Sequence, residues 1–242
     1  MPVGVIINGL SIILGGITGT LVAKNISPQF KINITLIFGL CSMGMGVNSI
    51  VLMENMPVVI FSIVIGTAIG LGIKLSKRIN TVALQMQKIM GKLVRSTRSE
   101  FADKNSLGDL VTVIILFCAS GTGIYGSMME GITGDSSILI SKSILDFFTA
   151  AIFACNLGYV VSAIAIPQII IGIGLFFGSY NIMLLTTQNI IADFKACGGF
   201  LMLATGFRMI KLKEFPIADM IPAMILVIPL SWLWINYIIP LL

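Results

Sequence analysis

Histidine is absent from all 242 residues, and charge is scarce: 15 Lys and Arg with 10 Asp and Glu make up 10% of the chain. Without imidazole there is no Ser-His-Asp or Cys-His arrangement and no histidine-ligated metal. The four cysteines, Cys41, Cys118, Cys155 and Cys197, lie far apart in apolar runs and form no CxxC pair. They read as small buried thiols, with no disulfide framework or metal cluster implied. A Walker-type phosphate loop is also missing, which argues against ATP hydrolysis. No cofactor is implied and an enzyme is not expected. A soluble domain carries about 25% charged residues, so a water-facing surface of ordinary size cannot be built here.

What the chain has instead is apolar surface, with 57% hydrophobic residues. A spanning helix needs about 20 mostly apolar residues, and eight stretches qualify: 3–23, 32–53, 57–75, 107–128, 138–162, 164–186, 189–209 and 216–240. The expected fold is all-α, a polytopic transmembrane helix bundle in one membrane domain covering 1–242. The fifth and sixth stretches are continuous. A turn is expected near Ala163–Pro167, because proline disfavours helix in the residue before it; the alternative is seven spans with a broken or re-entrant segment around Cys155-Asn156-Leu157-Gly158. The first span begins without a cationic leader region and reads as a retained helix.

Cytoplasmic loops are enriched in Lys and Arg. With both termini outside, Lys24, Lys31, Lys74, Lys77, Arg78, Lys88, Lys92, Arg95, Arg98, Lys104, Arg208, Lys211 and Lys213 all fall inside, thirteen of the 15 cations, while the outer loops hold Glu54, Glu130 and Asp135. The net charge of +5 is therefore topological, and no nucleic-acid partner is expected. The segment 76–106 is the soluble-like part. Ile79, Val82, Ala83, Met86, Ile89, Met90, Leu93 and Val94 recur at helical spacing among Lys88, Lys92 and Arg95, an amphipathic basic helix for the inner leaflet.

Glycines at small-xxx-small spacing (Gly15/Gly19, Gly66/Gly70, Gly174/Gly178) predict close helix packing and suggest a homo-oligomer. Cys41-Ser-Met-Gly44-Met-Gly46 and Cys118-Ala-Ser-Gly121-Thr-Gly123 share a C-x-x-G-x-G spacing, and Leu203-Ala-Thr-Gly206 resembles them. Spans 1–3 and 6–8 form a candidate inverted repeat, a common transporter construction.

Ionisable residues at membrane depth are functional candidates. Asp109, Asp193 and Asp219 each lie near the start of a span, where the helix dipole favours an acid. Asp146 lies about 12 Å into its helix at 1.5 Å per residue, with Lys142 on the same face at i−4. Ser143 points elsewhere, so a Ser-Lys dyad is not expected. Asn8, Asn48, Thr122, Asn156 and Gln168 extend the candidate site for a small solute or cation, since buried amides and hydroxyls need partners.

Gly4-Val-Ile-Ile-Asn8-Gly9, Phe117-Cys118, Glu130-Gly-Ile-Thr-Gly-Asp135 and Lys142-Ser-Ile-Leu-Asp146 resemble the bacterial YdfK-like and YqgA-like integral membrane proteins, a family of unknown function (DUF554). The resemblance runs over nearly the whole chain and implies a bacterial inner-membrane protein; it implies no substrate. From the residues, a secondary transporter or ion-coupled permease is the leading expectation. The alternatives are a structural or regulatory membrane component and a channel.

Overall fold

A computed structural model describes residues 1–22, 27–95, 110, 113, 114, 116–118, 120–180 and 187–241, and every element among them is helical. In chain order these are α1 (Val3–Val22), α2 (Pro28–Ile50), α3 (Met56–Gly72), α4 (Leu75–Arg95), α5 (Gly121–Thr133), α6 (Ser137–Leu157), α7 (Val160–Ala163), α8 (Ala165–Tyr180), α9 (Gln188–Met209) and α10 (Ile217–Leu233). A helical stretch around Leu110, Val113, Ile114 and 116–118 precedes α5. α10 continues through a π turn and a 3-10 turn to Leu241.

By length and composition, six helices among the described residues can cross a membrane. A seventh span results if α3 and the first part of α4, bent by 58° at a short break, count as one. The expected number of eight is therefore not reached. The difference lies in the expected fourth span, 107–128, part of which is outside the described residues. Its described part is interrupted at Ser120, which adopts an extended conformation and precedes the 13-residue α5. The boundary expected at Ala163–Pro167 is also displaced. α6 ends at Gly158, whose φ of 68° is in the range open to glycine, so the chain breaks where the alternative reading put it. Pro167 instead sits in the first turn of α8, where its missing N–H would be unbonded in any case.

The segment expected to be an amphipathic helix is helical as α4 up to Arg95; of its expected apolar residues, Ala83 is buried and Val82 exposed. The segment beyond it, with Asp109, lies outside the described residues.

The glycines set how closely the helices approach. Gly15 and Gly19 of α1 abut Phe147 and Ala151 of the parallel α6. Gly39 and Gly46 of α2 face Gly206 and Gly199 of the antiparallel α9, and Gly66 and Gly70 of α3 face Ala223 and Asp219 of α10. α1 also packs on α8 in the opposite direction, Gly9 against Ile169 and Gly172 against Val5. α2 and α3 thus lie against α9 and α10, while α1 packs chiefly on α6 and to a lesser extent on α8. Gly174 and Gly178 have no atom of the described residues within 4 Å of a side chain built on them, so that expected packing pair is not used among the described residues.

Three buried carboxylates hold the starts of helices other than their own. Glu130 accepts from the backbone N–H groups of Gly4 (2.7 Å) and Val5 (3.3 Å) at the start of α1. Asp193 accepts from the N–H groups of Glu54 (3.2 Å) and Asn55 (2.8 Å) before α3, and also from the Asn55 amide (2.9 Å) and the Ser231 hydroxyl (2.5 Å). Asp219 accepts from the Ser76 N–H (2.9 Å) and hydroxyl at the start of α4. Asp193 and Asp219 were expected to serve their own helix starts, and Glu130 to sit in an outer loop. Instead Glu130 lies in the last turn of α5, and all three satisfy N–H groups at the starts of other helices. Outside the helices, Asp135 is held below the ordinary carboxylate range by hydrogen bonds from the Ser137 hydroxyl and N–H.

A side chain at Gly46 would place its Cβ 2.7 Å from the Gly199 carbonyl oxygen. Gly46→Leu is therefore expected to destabilise the protein by about 1–3 kcal/mol, read as a lowered thermal unfolding midpoint in detergent. Gly174→Leu, which meets nothing, should leave the midpoint unchanged or raised.

Candidate functional site

Asp146 sits in the middle of α6, 7% exposed, with Lys142 one turn before it at 3%. The i,i+4 spacing places both on the inner face of the helix, and the Lys142 ammonium bonds Oδ2 of Asp146. From α1, the Asn8 amide donates to the same Oδ2 at 2.7 Å. From α8, Gln168 Nε2 donates to Asn8 Oδ1 at 2.7 Å. Three helices are thus joined by one chain of polar groups, Gln168 to Asn8 to Asp146, with Lys142 closing its end. Asn8 is fully buried and Gln168 is 5% exposed. The Gln168 Oε1 and the Ser62 hydroxyl are the two buried side-chain oxygens or nitrogens without a hydrogen-bond partner among the described residues.

Beside the ion pair lies a cavity of about 30 Å³. Space of this size holds about one water molecule. Its polar lining comprises Ser42, Ser120, Thr122, Lys142, Asp146, Thr149 and Thr205. Three of the hydroxyls have their protons committed to backbone carbonyls: Ser42 to Met202 (3.0 Å), Thr149 to Leu145 (2.8 Å) and Thr205 to Leu201 (2.8 Å). The oxygen of such a hydroxyl remains an acceptor. The Lys142 stem crosses the first turn of α5 at Gly123, where a Cβ would stand 3.2 Å from Lys142 Cε. Its ammonium lies 5.9 Å from the centre of the Phe117 ring, within cation–π range.

Of the residues expected in the site, Asp146, Lys142, Asn8 and Gln168 are bonded together and Thr122 lines the adjoining cavity. Asn48 and Asn156 do not join them: both occupy exposed positions on their helices. Ser143 bonds the Leu139 carbonyl of its own helix, away from Lys142. The sequence reading missed four hydroxyl residues, Ser42, Ser120, Thr149 and Thr205. Thr149 is legible in retrospect, three residues after Asp146 and seven after Lys142 on one helical face. The other three belong to the short glycine motifs, Cys41-Ser42, Ser120-Gly121 and Thr205-Gly206, which meet around this cavity. Among the described residues no group of three Cys, Asp or Glu side chains could hold a metal ion.

A family model described as a protein of unknown function, DUF554, matches residues 3–232. The chain belongs to this family. It is similar to the uncharacterized protein YqgA of Escherichia coli K12, with 44% identity over 97% of this chain and 98% of that protein. It is also similar to the uncharacterized membrane protein YdfK of Bacillus subtilis 168, at 23% identity over 92% and 93%. No solved structure matches. The apolar helices and the membrane relative together give this DUF554 member a membrane location. Glu130, in the stretch Glu130–Asp135, holds the start of α1, and the stretch Lys142–Asp146 carries the ion pair at its two ends.

Removing one partner of a buried ion pair leaves an uncompensated charge. Lys142→Met is expected to destabilise the protein by about 3–5 kcal/mol in denaturation measurements in detergent. Lys142→Met combined with Asp146→Leu should recover most of that loss, because no charge then remains to be solvated.

Proposed function

We propose that this protein is a secondary transporter or ion-coupled permease for a small solute in the bacterial inner membrane, with both termini outside, and that it is not an enzyme. The observation that carries this reading is the buried Asp146–Lys142 pair, bonded through Asn8 to Gln168 across α6, α1 and α8. Ionisable groups at membrane depth are expensive and recur on ion and solute pathways. A second support is the helix break at Ser120, which borders the same cavity; interrupted helices near the midplane frame the sites of many transporters. The gathering of cations into loops of one parity supports the inner-membrane orientation.

One observation favours the competing reading, a non-transporting structural or regulatory component: the space beside the pair is only about 30 Å³. A transporter must therefore open this site, whereas a scaffold need not.

Purified protein reconstituted into proteoliposomes is tested by solid-supported membrane electrophysiology, with jumps of small solutes and of alkali cations. Asp146→Asn is expected to abolish the current; it also leaves the Lys142 charge without its partner and lowers the unfolding midpoint, so the variant is compared at a temperature where it still elutes as a folded protein. Full activity of that variant would remove Asp146 from the mechanism and with it the reading.

A further inference from the structure

We infer that the cavity beside Asp146 is a binding site for a small, dehydrated monovalent cation of sodium size, which takes the place of the Lys142 ammonium on the carboxylate. The inference names the ion for the site proposed above and shares that reading's choice of Asp146.

Four observations lead to it. The donor set is made of oxygens: one carboxylate with the hydroxyls of Ser42, Thr122, Thr149 and Thr205 around a common space. Oxygen ligands suit hard cations rather than soft or transition metals. Ser42, Thr149 and Thr205 turn their protons toward helix carbonyls, so their oxygens can only accept. A proton would need the carboxylate alone, and the surrounding acceptors would have no role in binding it.

Size and charge narrow the choice. About 30 Å³ admits one water-sized object, which excludes a hydrated ion and any organic cation. With one carboxylate and the nearby Lys142 ammonium, a divalent ion would leave a larger excess of positive charge in an apolar interior than a monovalent one, and unpaired charge there is costly. The ammonium shows that this carboxylate accepts one unit of positive charge in place, and Lys142 is its ion-pair partner on the same helix.

Displacement also has somewhere to put the lysine. Its Nζ already lies 5.9 Å from the centre of the Phe117 ring, and the stem passes over Gly123, which has no side chain of its own to block it. The exchange then separates Lys142 from Asp146 without moving either helix backbone, while Asn8 keeps its bond to the carboxylate.

The test is thermal unfolding of the purified full-length protein in detergent, followed by tryptophan fluorescence at constant ionic strength and pH. Sodium, lithium or potassium chloride replaces N-methylglucamine chloride step by step. A ligand that binds the folded state raises the midpoint with concentration. The expected result is a saturable rise with sodium or lithium, smaller with potassium and absent with N-methylglucamine. The rise should be lost in Asp146→Asn and weakened in Thr205→Val, a near-isosteric change that removes one oxygen. In Lys142→Gln, where the internal competitor is gone, half-saturation should move to lower sodium. Equal midpoints in all salts would overturn the inference, and so would a sodium rise that survives in Asp146→Asn. A midpoint that follows pH and ignores the salt would assign the carboxylate to a proton instead. Saturable binding without flux in proteoliposomes would leave this inference standing and sink the transport reading. Flux without any alkali-cation effect would do the reverse.

Discussion

A helix that begins inside an apolar layer has N–H groups that water cannot reach, and each must find an acceptor or cost free energy. Here the acceptors are carboxylates from remote parts of the chain. Glu130 holds α1, Asp193 holds α3 and Asp219 holds α4, and Ser231 of α10 also bonds Asp193. Each contact joins the first third of the chain to the second half. The helix starts are thereby fixed in register, and the glycine contacts along α1, α2 and α3 follow from that register. A charge that would be costly alone is stabilised by donors that would be costly alone.

Among the described residues, Asp146 is the buried acid outside this scheme. It holds no helix start; its charge is met by a lysine of its own helix and by an amide from α1. The close approach of α2 to α9 brings Ser42 and Thr205 to one side of it, and the break before α5 brings Ser120 and Thr122 to another. The polar interior is therefore a product of tight backbone packing. Glycines remove the side chains that would otherwise fill the space, and hydroxyl residues next to those glycines line what remains.

Much of this was legible in the sequence, for reasons that can be named. The span limits follow from apolar length, and they hold within a few residues for α1, α3 and α9. The Lys142–Asp146 pair follows from a four-residue spacing. Asn8 and Gln168 were found by depth alone, but the same rule chose Asn48 and Asn156, which occupy exposed positions. Depth says how far along a helix a residue lies and nothing of the direction it faces. Asp219 lies in the first turn of α10 as expected, whereas Asp193 lies in the second turn of α9; their partners, about 140 residues away in sequence, are set by the tertiary fold. Pro167 misled because proline both opens and interrupts helices, and its local sequence did not say which.

The Lys142–Asp146 pair differs from the other buried charge contacts described here in being local. Asn8 is 138 residues from Asp146, and Gln168 is 160 from Asn8, so neither bond exists until the bundle is assembled. A lysine one turn away travels with its acid from the ribosome onward. α6 can therefore partition into the bilayer as an electrically balanced segment before α8 has been synthesised. The charge that distinguishes the mature interior thus places little burden on the insertion that precedes it.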